Sequence, residues 1–591
     1  MALQIFLSLL ATLWITLVYY STGDIFRKAV NYTFTTRLEK TVINISLGFG
    51  ISGILIMLLN ILNIVSSVTI ILLLTIPSLF FIRQWITFFY KIKSQIDQFK
   101  YSSCTIIFLV PAALLLLYFL RTLLPPSGFD ALMYHLSCAQ LYLDHGGFYN
   151  IFFNPQSDFP MLTEMNYQIG CALNNDLICR QISFLADCLA CGSLLLFSRF
   201  SGLSSKDIAL AVSLLLTMTV SIASISSCDV DFPLAAWISL SVYTLLCIDN
   251  NAQMKQILVP AFFAGMAVST KIFGVFVFPV LVFIVMFKKN FSTRNLLTLF
   301  LIPCGMGFPW FLKSFLHKGT ILSINQSIID TQGLGLPMGI SVENPFVEFL
   351  VNVALRIAAA PWTFSLIPSQ HQQEMLGPLF IGLLPFAFFI RLPVKLKILL
   401  HCGGIYLFCI LIMEMFYIPA GASIRYTLVI ALFCIPICLF IAKELRKYNR
   451  FFHTTVMILI AAQISLGSIL LVKRYHKDWI ALLTLKTRDD YYESILMEYP
   501  AIKFINNLQS RSVIMTMYNF DNYLIKKPYI SAYRHYTDKK DLDEDLTKHS
   551  ITHIFANNVL DTTRNATVYP ELDNKKVVFS KNGFYVFEIG Y

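Results

Sequence analysis

Apolar residues in this chain gather into long runs separated by short polar stretches. Runs fall near 2–20, 44–64, 65–82, 103–121, 177–197, 207–226, 232–248, 257–270, 273–287, 295–312, 376–390, 398–417, 426–442 and 451–472. An α-helix needs about 20 apolar residues to cross a bilayer, so the pattern predicts about fourteen spans, the shorter ones with soft boundaries. The first run, Met1 to Tyr20, has no basic leader and no small-residue cleavage site after it, and it reads as a retained span rather than a cleaved signal peptide. Residues 346–368 are apolar but carry Arg356, Pro361 and Pro368. A crossing there would invert every later loop, so an interfacial or re-entrant helix on the outer face is expected. From about Tyr475 the pattern changes to short strand-like runs at Val513 to Tyr518 and Ile551 to Phe555. An Asn582-Gly583 turn then joins Lys576–Phe579 to Phe584–Phe587 as a hairpin. The organisation that follows is 1–100 as extra N-terminal helices, 101–473 as a membrane module with a large loop at 122–176, and 474–591 as a small α/β domain.

Charge orients these spans. Only 13% of the 591 residues are charged against 56% hydrophobic, whereas about 25% charged residues is usual in soluble domains, so the chain is a polytopic membrane protein. Residues 122 to 178 hold no Lys or Arg but carry Asp130, Asp144, Asp158, Glu164 and Asp176. Basic loops (Arg27 to Lys40, Lys91 to Lys100, Arg199/Lys206, Lys255, Lys288 to Arg294, Arg391 to Lys397, Lys443 to Arg450) alternate with the acidic loop, Asp229–Asp231, the Lys313 to Pro345 loop, Pro419–Arg425 and the C-terminal domain. Basic loops stay cytoplasmic, which puts the acidic loop and the C-terminal domain outside. The net charge of +11 is spent on these loops, and no basic patch with interleaved aromatics suggests a nucleic acid partner. The thirteen cysteines form no metal-binding spacing. Cys188 and Cys191 read as small helix-packing residues, and Cys138 and Cys171 share the outer loop and could pair in an oxidising compartment.

The outer loop is where chemistry concentrates. Pro125-Pro126-Ser127-Gly128 ends a span, and a helix is expected from Asp130, with Leu132, Met133, Leu136 and Leu141 on one face and Asp130, Tyr134 and His135 beside its polar side. Asp130 there is either an ionised general base or a helix cap. Asp229 and Asp231 stand at the outer end of a span, where a carboxylate either faces a cavity or sits in a solvated turn. Lys271 interrupts an apolar run, and with Arg425, Lys313 and Arg356 it supplies positive charge on the same face, able to bind a phosphate or else to snorkel. Asp130, His135 and Asp231, with Glu164, are the candidate ligands for a divalent metal, although no HExxH-type spacing supports one. No P-loop, GxSxG or haem signal stands out.

These motifs have a recognisable order. Phe129-Asp130-Ala131-Leu132-Met133-Tyr134-His135-Leu136, then Asp158-Phe159-Pro160, Asp231, Gly265 to Lys271, Pro309-Trp310-Phe311-Leu312-Lys313, Gly377-Pro378-Leu379 and Arg425-Tyr426 together resemble the GT-C fold membrane glycosyltransferases, close to glycosyltransferase family 39, which includes protein O-mannosyltransferases and aminoarabinose transferase-like enzymes. The likeness runs from about residue 103 to the end. It departs where relatives have a Gly-Asn-Pro turn and this chain has Lys318-Gly319-Thr320-Ile321, and where a Trp precedes the Arg-Tyr pair in relatives. The resemblance implies a polyprenyl-phosphate sugar donor, a lipid, glycan or protein acceptor, and inverting transfer on the periplasmic side of a bacterial inner membrane. By the same resemblance Asp130 is the base and Asp231 orients a substrate or metal. Lys271, Lys313 and Arg425 meet the phosphate, and Tyr134, His135, Glu164 and Tyr426 line the substrate site. Two other readings use the same residues: a lipid-linked glycan ligase or polymerase, and a transporter with an anion site.

Overall fold

The structure is a computed structural model. It describes residues 2–96, 105–249, 253–288, 291–320, 374–417, 424–484, 487–517, 522–532, 539–557 and 575–589, with a few single residues between. The expected re-entrant segment at 346–368 and Arg356 lie almost wholly outside the described residues.

Helices α1 (Ala2–Ala29), α2 (Arg37–Ile61), α3 (Ser67–Ile96) and α4 (Thr105–Arg121) precede the acidic loop. That loop holds a π-turn at Ala131–His135, α5 (Leu136–His145) and α6 (Leu162–Ala172). There follow α7 (Asp176–Phe200), α8 (Ser205–Thr217), α9 (Thr219–Ser224), α10 (Asp231–Cys247), α11 (Met254–Thr270), α12 (Val277–Met286) and α13 (Thr293–Lys318). Beyond residue 374, helices at Val394–Tyr417, Leu428–Tyr448 and Arg450–Leu483 complete the bundle. Seven helices, among them α1, α2, α7 and α13, are long and apolar enough to cross a membrane, and shorter apolar helices such as α10, α11 and Leu379–Phe388 accompany them. Each of the predicted runs coincides with helix. The run at 207–226 is broken at Met218, whose extended backbone separates α8 from α9.

Local chemistry explains the helix starts. Ser204 and Asp207 form a capping box on α8, and Asn175 caps α7 through the Leu177 amide. The lipid-facing sides are apolar: Leu3, Phe6, Leu10 and Leu13 on α1 and Leu297, Leu301 and Phe308 on α13 are exposed, as suits side chains that meet acyl tails rather than water. The inner helices are buried throughout. Trp237 on α10, Phe197 on α7 and Phe433 in Leu428–Tyr448 form the centre of one continuous core.

Helix Arg450–Leu483 runs unbroken across residue 474, and a small C-terminal domain follows it. Its sheet has the order β2-β1-β3-β5-β4, with β1 (Ile514–Thr516), β2 (Tyr529–Ser531) and β3 (His553–Asn557) parallel, and β5 (Phe584–Glu588) antiparallel to β3 and to β4 (Lys576–Lys581). The predicted hairpin turns at Asn582 and Gly583, both with positive φ (55° and 79°), as a two-residue turn of this hand requires. The domain is latched to the loop it overhangs. Arg488 forms a two-pronged ion pair with Asp176 at the head of α7, Nη1 donating to Oδ1 at 2.8 Å, and the Tyr492 hydroxyl donates to the Pro126 carbonyl at 3.0 Å.

Candidate active site

Four other segments bring charged side chains to or beside Arg425, which lies in a 3-10 turn at Ile424–Thr427. Its Nη1 donates to Asp130 Oδ2 and to Asp229 Oδ2, each at 2.8 Å. Its Nε lies 3.6 Å from Asp231 Oδ2 and 3.7 Å from Glu374 Oε1. Lys271, in the break between α11 and the Ile272–Phe276 turn, donates to Asp231 Oδ1 at 2.7 Å. The cluster therefore sets Asp130, Asp229, Asp231 and Glu374 against Arg425 and Lys271. Among the described residues these carboxylates and cations interlock, an arrangement suited to a hydroxyl that must give up a proton beside a group whose charge must be met.

Asp130 sits at the N-cap position of the π-turn, yet its side chain makes no capping bond. Its carboxylate turns to Arg425 instead, and it is the most open of the carboxylates paired with that residue, at 18% side-chain exposure. The π-turn, a feature common at functional sites, shifts the following side chains around the helix. It buries His135 to 1% exposure, where sequence spacing had put it beside the polar side. His135 Nδ1 pairs with Glu164 Oε1 at 2.6 Å, and Nε2 points toward Asp229, 3.8 Å from its Oδ1, with no hydrogen-bond partner. Tyr134 is half-buried beside the cluster. Burial first, then the Asp130 and Asp229 carboxylates, push its phenol well above the usual range, so it stays protonated. Burial is the largest single influence on the Asp229 carboxylate and disfavours it, but Arg425, Lys271 and His135 together outweigh it and hold the group below the usual carboxylate range.

The Asp229 loop is strained into place. Ser226 and Cys228 adopt positive φ of 55° and 57° without being glycine, a conformation that persists only where its surroundings enforce it. Arg180 Nε donates to the Ser226 carbonyl at 2.8 Å and Asp187 accepts from the Ser226 amide at 2.9 Å. Arg121 holds the Ile225 carbonyl at 2.9 Å, and the Tyr167 hydroxyl donates to the Asp229 carbonyl at 3.2 Å. The same Arg180 also grips the carbonyls of Leu124 and Pro125, at 3.0 and 2.7 Å, at the root of the Asp130 loop. One buried guanidinium thus fixes both carboxylate-bearing loops. Gly128 fits between them because a Cβ there would lie 2.9 Å from the Ser227 carbonyl oxygen.

Of the sequence-predicted site residues, the structure brings together Asp130, Asp231, Lys271, Arg425, Tyr134, His135, Glu164 and Tyr426. Tyr426 stacks on Phe273, ring centroids 3.9 Å apart, with the Lys271 ammonium 4.6 Å above its ring. Lys313 is elsewhere. Its ammonium donates to the Ser157 carbonyl at 2.6 Å and the Tyr142 hydroxyl at 3.1 Å, so it braces the outer loop. Asp130, His135 and Asp229, rather than Asp231, offer atoms within 4.8 Å of one another that could hold a metal ion. The donor set fits: His135 keeps Nε2 open while Glu164 fixes its other nitrogen, as a ligand imidazole requires. Arg425 now occupies the same carboxylates and would have to yield. Glu374, Arg180 and Asp187 were not singled out from the sequence. The last two are charges seven residues apart on an apolar span, a pattern that marks intramembrane function or bracing. Cys138 and Cys171 are both free thiols.

This polytopic bundle, in which the acidic loop brings an aspartate to a second carboxylate pair, has the GT-C fold, as a likeness to a solved structure shows. ArnT from Cupriavidus metallidurans, in a crystal structure bound to undecaprenyl phosphate, is similar to this chain with a TM-score of 0.51 and 13% identity, covering 82% of this chain and 98% of ArnT. No family model and no curated protein sequence matches the chain.

Proposed function

We propose that this chain is an inverting glycosyltransferase that moves a sugar from a polyprenyl-phosphate donor to an acceptor hydroxyl on the extracytoplasmic face, as part of a bacterial inner membrane. The observation that carries the reading is Asp130: a carboxylate at a helix start that caps nothing and instead pairs with Arg425, beside the Lys271–Asp231 pair, in a fold shared with a protein that binds undecaprenyl phosphate.

In the proposed reaction Asp130 takes the proton of the acceptor hydroxyl, whose oxygen attacks the anomeric carbon. The bond from that carbon to the phosphate oxygen breaks with inversion, and polyprenyl phosphate leaves. The negative charge that develops on the leaving phosphate is met by Arg425 and Lys271, positioned before the reaction starts. An aspartate bound to arginine is a poor base. The donor phosphate resolves this by competing for Arg425, which leaves Asp130 free to accept a proton only when donor is present. Asp229 and Asp231 then orient the acceptor and hold Lys271, while Tyr134, His135, Glu164 and Tyr426 shape the pocket. A divalent cation, where one binds, would take Asp130, Asp229 and His135 Nε2 and would add Lewis-acid stabilisation of the phosphate. The acceptor is a lipid, a glycan or a protein. Sugar transfer from polyprenyl-phosphate donors in membranes carrying the wild-type chain or Asp130→Asn tests the reading, with transfer expected only from the wild type.

A further inference from the structure

We infer that the N-terminal helices α1 and α2 form a positioning brace for the reactive loop, with Asn60 and Gln168 acting through the Glu164–His135 pair; the catalytic part of this inference rests on the proposed transferase reading. Polar side chains inside membrane spans are costly unless they find partners. Here their partners lie on α6. The Tyr19 hydroxyl of α1 donates to Asn166 Oδ1 at 2.7 Å. Asn60 of α2 and Gln168 of α6 exchange amide bonds, Nδ2 to Oε1 at 2.9 Å and Nε2 to Oδ1 at 3.3 Å. All four side chains are fully buried. Gly53 lets α2 come this close, since a Cβ there would lie 2.9 Å from Asn166 Nδ2 and from the Leu162 carbonyl oxygen.

The geometry beyond Asn60 forms a two-rung ladder. Glu164 and Gln168 lie one turn apart on α6, and His135 and Ala139 lie one turn apart across the start of α5. The upper rung is Glu164 to His135 at 2.6 Å. The lower is Gln168 Nε2 to the Ala139 carbonyl at 3.2 Å, and Asn60 holds that same Gln168. The Asn60 backbone carbonyl, which an alanine keeps, also accepts from the Phe148 amide at 3.2 Å, just past the end of α5. One residue of α2 therefore fixes both helices of the loop that carries Asp130 and His135. Helices α5 and α6 are 10 and 11 residues long, too short to anchor themselves across a bilayer. Loosening the lower rung lets α6 rotate, and the upper rung, which aims His135 Nε2 at Asp229, follows.

The test uses full-length protein in lipid nanodiscs and compares Asn60→Ala with Thr12→Val. The Thr12 hydroxyl ties α1 to Gln181 of α7, donating to its Oε1 at 2.6 Å, rather than to α6. Misplacing a reacting group by about 1 Å costs up to about 100-fold in rate, so Asn60→Ala is expected to lower kcat roughly 10- to 100-fold with little change in the donor KM. In a Glu164→Gln background, where the upper rung is already broken, Asn60→Ala should cost nothing further. Thr12→Val should transfer sugar at the wild-type rate. Hydrogen exchange at 162–172 should rise in Asn60→Ala and not in Thr12→Val, a readout independent of activity. Equal losses in both backgrounds, or unchanged exchange at 162–172, overturn the inference. A wild-type chain that transfers no sugar refutes the transferase reading, while exchange still decides the brace.

Discussion

Arg180→Met is the perturbation whose size the structure fixes best. Arg180 is 1% exposed and donates to three carbonyls, those of Ser226, Leu124 and Pro125, at 2.8, 3.0 and 2.7 Å. Its Nη2 also lies 4.0 Å from Asp478, which itself pairs with Arg121. Methionine fills a similar volume but donates nothing, and each orphaned buried acceptor costs about 1–3 kcal/mol, or about 3–9 kcal/mol for three. Removing a buried guanidinium also returns part of its desolvation cost, which brings the net loss to about 3–5 kcal/mol. For a chain of this size that corresponds to a fall in Tm of roughly 2–4 °C. Arg180→Lys keeps a single point donor and should fall between the two. Thermal unfolding of the purified protein in detergent reads both variants. A methionine variant that unfolds at the wild-type temperature, or a lysine variant as damaged as methionine, would refute the view that one guanidinium pins both carboxylate loops.

The other predictions concern the site and its latch. Arg425→Gln should lower kcat/KM for a polyprenyl-phosphate donor by roughly 100- to 1,000-fold, the usual effect of losing one donor aimed at developing charge, and steady-state kinetics showing less than a 3-fold change would count against it. Because the folded Asp229 carboxyl is held below its usual range, the stability it supplies is present above the unfolded pKa of about 3.9 and is lost as pH falls through the lower folded value. Unfolding temperature should therefore drop less steeply on acidification in Asp229→Asn than in the wild type. Asp176→Asn weakens the pair with Arg488, and limited proteolysis should then cut faster between Leu483 and Arg488 while the helical bundle stays intact.

Much of this organisation was legible in the chain. The helical spans followed from runs of apolar residues, because a bilayer leaves the backbone few alternatives. Asp130, Asp231, Lys271 and Arg425 stood out as charges at the ends of apolar runs, where burial has to be justified by a partner. What the pattern could not supply was trajectory. Lys313 carries the same signal as Lys271, yet the direction of α13 delivers it to the Ser157 carbonyl instead of the carboxylates. The π-turn that buries His135 has no signature in hydrophobic spacing. Arg180 gains its role from carbonyls that are 46 to 56 residues away along the chain, and nothing local marks such a partner. Strand β2, with 3 residues, is too short to show alternation. The predicted hairpin at Asn582-Gly583 succeeded because its turn chemistry is local.

The central claim is that Asp130 accepts the proton of an acceptor hydroxyl as sugar leaves polyprenyl phosphate. Its most direct test is transfer from a panel of polyprenyl-phosphate sugars by membranes carrying wild-type protein or Asp130→Asn, each first shown to unfold at the same temperature. The account predicts transfer from at least one donor by the wild type and a loss of at least about 100-fold in the variant, since the amide keeps the shape but cannot take the proton. Transfer that survives the substitution would contradict it.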